Sequence, residues 1–174
     1  MDASTSASAS AVRAPDFTAA RDEAVKILSG FVRIDTSNPP GNETKGAEYL
    51  KAILDREGIP SEIFEMEPGR GNIVARIKGN GKKKPILLMG HIDVVGVERE
   101  KWTVDPFGGE VKDGYLYGRG SSDDKGMAAR LIEEQVVVGE ERGVHRAEMK
   151  RHRGRQHQRE RERRAGAGLH GRAR

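Results

Sequence analysis

Ile86-Leu87-Leu88-Met89-Gly90-His91-Ile92-Asp93 is the stretch whose reading decides the fold. Four apolar residues in succession, closed by a glycine, have the pattern of a strand covered on both faces, as in sheets layered by helices. Side chains alternate along an extended chain, so His91 and Asp93 point to the same side at that strand's end. A carboxylate beside an imidazole fixes the tautomer and aim of a metal-binding histidine. In open α/β sheets, ligands collect beyond the carboxyl ends of strands, where this pair falls. On a surface loop the same His-x-Asp would be only a weak ion pair, so the neighbouring sequence has to discriminate.

About thirty residues further on stands Gly118-Arg119-Gly120-Ser121-Ser122-Asp123-Asp124-Lys125-Gly126, an acidic pair framed by glycines that permit unusual backbone angles. It is not a phosphate loop, because Lys125-Gly126-Met127 lacks the hydroxyl that must follow the lysine; Gly79-Asn80-Gly81-Lys82 lacks both the spacing and the hydroxyl. Trp102, Pro106 and Phe107, lying between the two motifs, read as packing residues.

Upstream, Asp16 is a suitable N-cap for a helix with Ala20, Ala24, Ile27, Leu28 and Phe31 on one face, ending before Asn38-Pro39-Pro40-Gly41. A second helix from Asn42 carries Ala47, Leu50, Ile53 and Leu54 and stops at Gly58. Strands follow around Ile63-Phe64, around Ile73, Val74 and Ile77, and at Ile86 to Met89, with Gly79-Asn80-Gly81 as a hairpin turn. Asp113-Gly114 joins two shorter strands, Glu110 to Lys112 and Tyr115 to Tyr117. Residues 124–138 suit a third helix, with Val136-Val137-Val138 favouring an extended end. The fold class is α/β, helices packed on a mixed central sheet.

The chain's net charge of +4 hides two regions. From Glu140 onward Lys and Arg outnumber Asp and Glu by about seven, which leaves residues 1–139 acidic. Residues 1–15 form a Ser/Ala-rich leader without the features of a signal peptide, residues 16–138 the folded unit, and residues 139–174 an Arg-rich tail. That tail has no aromatic residue, proline or Asp and cannot bury a core, so both ends read as disordered. With no cysteine, only His, Asp and Glu remain as strong metal ligands. No apolar run is long enough for a transmembrane span, so no membrane partner and a cytoplasmic location are expected.

Taken together, Leu87 to Val95, Trp102 to Phe107, Asp113-Gly114 and Gly118 to Gly126 resemble the zinc-dependent peptidase and deacylase family. That family includes acetylornithine deacetylase, succinyl-diaminopimelate desuccinylase, aminoacylase, glutamate carboxypeptidase and carnosine-type dipeptidases. The resemblance runs from about Phe17 to Ala129 and takes in Asp35-Thr36-Ser37-Asn38-Pro39-Pro40-Gly41, similar to the turn these enzymes carry after their first helix. It implies the N-terminal portion of a zinc-peptidase catalytic domain. His91 would be a ligand of one zinc, Asp123 the bridge between two, Asp93 the catalytic-site residue that orients His91, and Asp124 not a ligand. It also implies a cis peptide between Asp123 and Asp124, two zinc ions with cobalt as a possible substitute, and hydrolysis of a small peptide or N-acyl amino acid.

The family's downstream Glu-Glu pair, further acidic ligand and late histidine have no clear counterpart. Glu140-Glu141 follows an apolar run but stands too close to Asp123 for a crossover helix to intervene, and Glu133-Glu134 is closer still. His145, His152, His157 and His170 sit among arginines, whose charge opposes metal binding. The chain is therefore expected to be inactive alone, and the tail has the composition of GC-rich codons read out of frame. A rival reading takes the tail as a charge-driven nucleic-acid binder without stacking aromatics. Another takes the chain as a non-catalytic remnant with open sheet edges. Oligomeric state is left open.

Overall fold

The computed structural model describes residues 16–141. Their order is α1 (Phe17–Val32), α2 (Glu43–Arg56), β1 (Ser61–Glu65), β2 (Gly71–Ala75), a 3-10 turn at Arg99–Lys101, β3 (Glu110–Lys112), β4 (Tyr115–Tyr117) and α3 (Lys125–Glu141). Asp16 caps α1 as its sequence position suggests: one carboxylate oxygen accepts from the amides of Thr18 and Ala19, each at 3.1 Å. α2 begins at Glu43, a carboxylate favoured by the positive end of the helix dipole, and Gly58, at φ 70°, follows its last turn.

The apolar stripes of the helices meet one another. Ile27 and Phe31 from α1, Leu50 and Ile53 from α2, and Ala128 and Ala129 from α3 form the main core, while Leu54 and Ile59 make a smaller one beside Ile73. β1 and β2 pair antiparallel from Ser61 opposite Ala75 to Glu65 opposite Gly71, and this hairpin lies on α2. β3 and β4 pair around Asp113-Gly114, whose φ values of 52° and 81° are those of a primed hairpin turn. No helix among the described residues is long and apolar enough to cross a membrane.

Several expectations need correction. Ile86-Leu87-Leu88-Met89 is not a strand buried on both faces. It belongs to no sheet, and Ile86, Leu87 and Met89 are 82, 79 and 77% exposed. A doubly covered strand needs partners on both edges and layers on both faces, and the described residues supply neither. The central mixed sheet is accordingly replaced by two separate two-stranded antiparallel sheets. The second strand stops at Ala75, short of Ile77, and Gly79-Asn80-Gly81 joins no hairpin; there the Asn80 side chain accepts from the amide of Lys82 at 3.0 Å. The hairpin turn is instead formed by residues 66–70. Val136-Val137-Val138 does not end α3 in extended chain, because the helix continues to Glu141.

Candidate metal centre

Without a ladder to hold it, the His91 segment is fastened by the turn that follows α1. Val94 forms an isolated parallel bridge with Ser37: its amide donates to Thr36 O at 3.1 Å, and its carbonyl accepts from the Asn38 amide at 2.9 Å. Thr36 is fully buried and donates its hydroxyl to Ile92 O at 2.6 Å. The turn itself is closed by Asp35, which accepts from the Ser37 amide at 2.9 Å. Both prolyl bonds in Asn38-Pro39-Pro40 are cis.

The second half of the site is set by Lys125. Its ammonium is completely buried and donates to Phe31 O at 3.1 Å and Ile34 O at 2.6 Å, over the Phe31 ring at 5.0 Å. Carbonyls at a helix C-terminus lack intrahelical partners and attract a cation. Burial pushes the lysine's pKa down to about 8, with the charge of Asp35 opposing the shift. The clamp seats the turn before α3 against the end of α1, and Asp123 lies in that turn.

These two supports bring the candidate residues together. His91 Nε2 is 3.0 Å from Asp123 Oδ1, and His91 Nδ1 is 3.1 Å from Asp93 Oδ1 and 3.2 Å from the Asp93 carbonyl. The bond between Asp123 and Asp124 is cis. Burial alone would lower the His91 pKa, but hydrogen bonds to Asp123 and Asp93 outweigh it and hold the imidazole above its ordinary value. Asp93 is held below the usual carboxylate range, first by the amide of Asn38 and then by His91. The His91 and Asp123 side chains are 53 and 89% exposed, so their contact contributes little to stability, and a stabilising role does not account for it. At this separation a shared proton fits between Nε2 and Oδ1.

Two ligand atoms about 2.0 Å from a tetrahedral zinc stand roughly 3.3 Å apart, so the 3.0 Å pair suits such an ion after a small opening. The fit is that of a half-site, for no group of three His, Asp or Glu converges among the described residues. Glu133 is buried in α3 away from solvent, Glu140 and Glu141 close the same helix, where only the backbone is described, and His145, His152, His157 and His170 lie outside the described residues.

Three further residues make contacts that the sequence did not foretell. Asp124 receives the His91 amide on Oδ2 at 3.3 Å, and Gly90 makes room for it, since a Cβ there would lie 2.9 Å from that oxygen. Asn38 donates through Nδ2 to Asp93 Oδ2 at 3.1 Å. Arg70 donates through Nη1 to Asn38 Oδ1 at 3.2 Å, and its Nε lies 3.2 Å from Glu43 Oε2. The last contact is a charge pair rather than a hydrogen bond, as neither Glu43 oxygen has a well-directed donor among the described residues. The turn from Asp35 to Gly41 was the only clue to Asn38, and turn residues are commonplace.

Comparison with known proteins identifies the class. Residues 87–135, which carry His91, Asp93, Asp123, Asp124 and Lys125, match the profile of Peptidase family M20/M25/M40. Over this part the chain is similar to that family. It is 40% identical over 126 residues to a Staphylococcus aureus protein (strain Mu50) named "Probable succinyl-diaminopimelate desuccinylase", covering 71% of this chain and 30% of that one. A Staphylococcus epidermidis protein of the same name is 38% identical over 110 residues, covering 62% of this chain and 26% of its own length. The N-formyl-4-amino-5-aminomethyl-2-methylpyrimidine deformylase of Bacillus subtilis is 31% identical over 144 residues, covering 71% of this chain and 34% of the enzyme. The chain thus spans about 30% of the length of the first of these relatives.

Proposed function

We propose that the chain is the N-terminal part of a zinc hydrolase that cleaves an amide bond in a small N-acyl amino acid or peptide, acting in the cytoplasm. His91 and Asp123 would hold metal, and Asp93 would orient His91. The observation that carries this reading is the 3.0 Å approach of His91 Nε2 to Asp123 Oδ1 inside the family-matched stretch. The two named relatives that remove succinyl and formyl groups support an acylated small molecule as substrate class.

When bound, a zinc pair supplies polarisation of the carbonyl and a water of lowered pKa. The chain's own residues do the positioning. Asp93 accepts a hydrogen bond from Nδ1–H, which leaves the Nε2 lone pair directed outward, and Asp123 presents an exposed carboxylate opposite it. Catalytic zinc sites hold three protein ligands, so with two the chain alone binds metal weakly and does not turn over substrate.

Grafting residues 16–135 into the Staphylococcus aureus relative, in place of its matching stretch, tests this. The chimera should show metal-dependent deacylation, restored by zinc after chelation. His91→Ala within it should lose more than the ~10–100-fold expected of a merely supporting residue. A chimera that folds, binds zinc and remains fully active with His91→Ala would refute the assignment; deacylation by the 174-residue chain itself would refute only its inactivity alone.

A further inference from the structure

The turn from Asp35 to Gly41 does more than connect two helices. We propose that Asn38, held by Arg70, is a positioning residue that locks the Asp93 carboxylate and thereby selects the His91 tautomer whose Nε2 is free to bind metal. This rests on the reading of His91 as a ligand and extends it to residues outside the matched stretch of 87–135.

The direction of the carboxamide follows from chemistry. Arginine can only donate, so the Asn38 oxygen must face Arg70 Nη1 and its NH2 group must face Asp93. Arg70 in turn is seated against Glu43, which is buried at the start of α2, and Gly41 leaves the space, since a Cβ there would stand 2.6 Å from Arg70 Cδ. An unbroken line of polar contacts therefore runs from α2 through Arg70, Asn38 and Asp93 to His91.

The two carboxylates beside His91 are held unequally. Asp93 is tied on Oδ2 by Asn38 while its Oδ1 faces Nδ1; Asp123 is 89% exposed and can swing into water. A neutral imidazole has one proton for two flanking acceptors. It gives that proton to the acceptor that cannot turn away, which is Asp93. Release of Asp93 removes the asymmetry, and Nε2 then competes for the proton that a metal would have to displace.

The test is nitrogen NMR of the full, metal-free chain labelled in histidine, in alkaline buffer where the ring is neutral. The wild-type His91 should be mainly Nδ1–H. Asn38→Asp keeps the shape of the side chain but removes its donor, and should shift the ratio about fivefold toward Nε2–H. Arg70→Met should shift it the same way by a smaller factor, and zinc affinity of Asn38→Asp should fall about 10-fold or more. A folded Asn38→Asp protein with the wild-type ratio overturns the proposal. Should that variant lose its dispersed amide spectrum, Arg70→Met decides. One further measurement needs no variant: one Asn38 Nδ2 proton in the wild type should exchange slowly, and fast exchange of both overturns the idea. Absence of zinc binding in the wild type, with the tautomer shift intact, would remove the proposed hydrolase site but leave the Asn38 device standing.

Discussion

Ile53-Leu54 in α2 and Ile86-Leu87 ahead of His91 are apolar pairs of the same composition, yet the first are 5 and 1% exposed and the second 82 and 79%. The difference lies in what surrounds them. α2 finds a partner helix on one side and the β1–β2 hairpin on the other, whereas 86–89 pairs with no strand among the described residues. Hydrophobic sequence supplies a driving force but no destination: burial needs neighbours to bury against. The site straddles this divide. His91 emerges from the uncovered stretch, and the packed region holds it through Thr36, Asn38 and Lys125.

The contrast can be broken most sharply at Phe31, which is fully buried, stacked on Tyr49 at 5.8 Å and covered by Lys125. Phe31→Ala should cost about 3–5 kcal/mol in urea unfolding. A loss below about 1 kcal/mol would show that the three-helix core is not what holds the chain together. Ile86→Ser with Leu87→Ser should leave stability within about 0.5 kcal/mol. The same pair should reduce self-association in sedimentation velocity, since exposed apolar chain is an adhesive surface. Strong destabilisation instead would mean that 86–89 is buried in solution.

The smallest effect marks the rim of the packed region. Glu65 accepts from the Thr44 hydroxyl at 2.6 Å and from the Gly69 amide at 2.7 Å, and these bonds hold its pKa below the ordinary value. A depressed carboxylate pKa means that the unfolded chain binds the proton more readily. This contribution is therefore present above the ordinary glutamate pKa and lost as pH falls through the depressed one. Glu65→Gln should flatten the acid limb of the stability curve slightly; an unchanged limb would show that the hairpin turn is not fastened to α2.

Local signals were legible in the sequence. The Asp16 cap, the stripes of α1 and α2, the stop at Gly58 and the Asp113-Gly114 turn all depend on residues within a few positions of one another. The Ile86–Met89 run misled because its pattern describes a strand in a finished sheet, a property of distant partners. Of the site, His91 and Asp93 were singled out by type and spacing and Asp123 by the family resemblance, and the structure brings them together; the metal-binding role of His91 and Asp123 is a proposal. Asn38 and Arg70 escaped notice because their contacts span 55 and 32 residues and join residue types that usually need no explanation in turns. Lys125 drew no role from the sequence beyond its failure to match a phosphate loop, and only the packing of α3 on α1 reveals it as a buried clamp.

That clamp ties the end of one helix to the tip of a loop. Lys125 grips the Phe31 and Ile34 carbonyls two residues after Asp123, so under the proposed function an ion that drew Asp123 toward His91 would also tighten α1's final turn. Occupancy of the proposed centre would then be legible at a distance, in how slowly the backbone amides around Arg33 and Ile34 trade their protons with water.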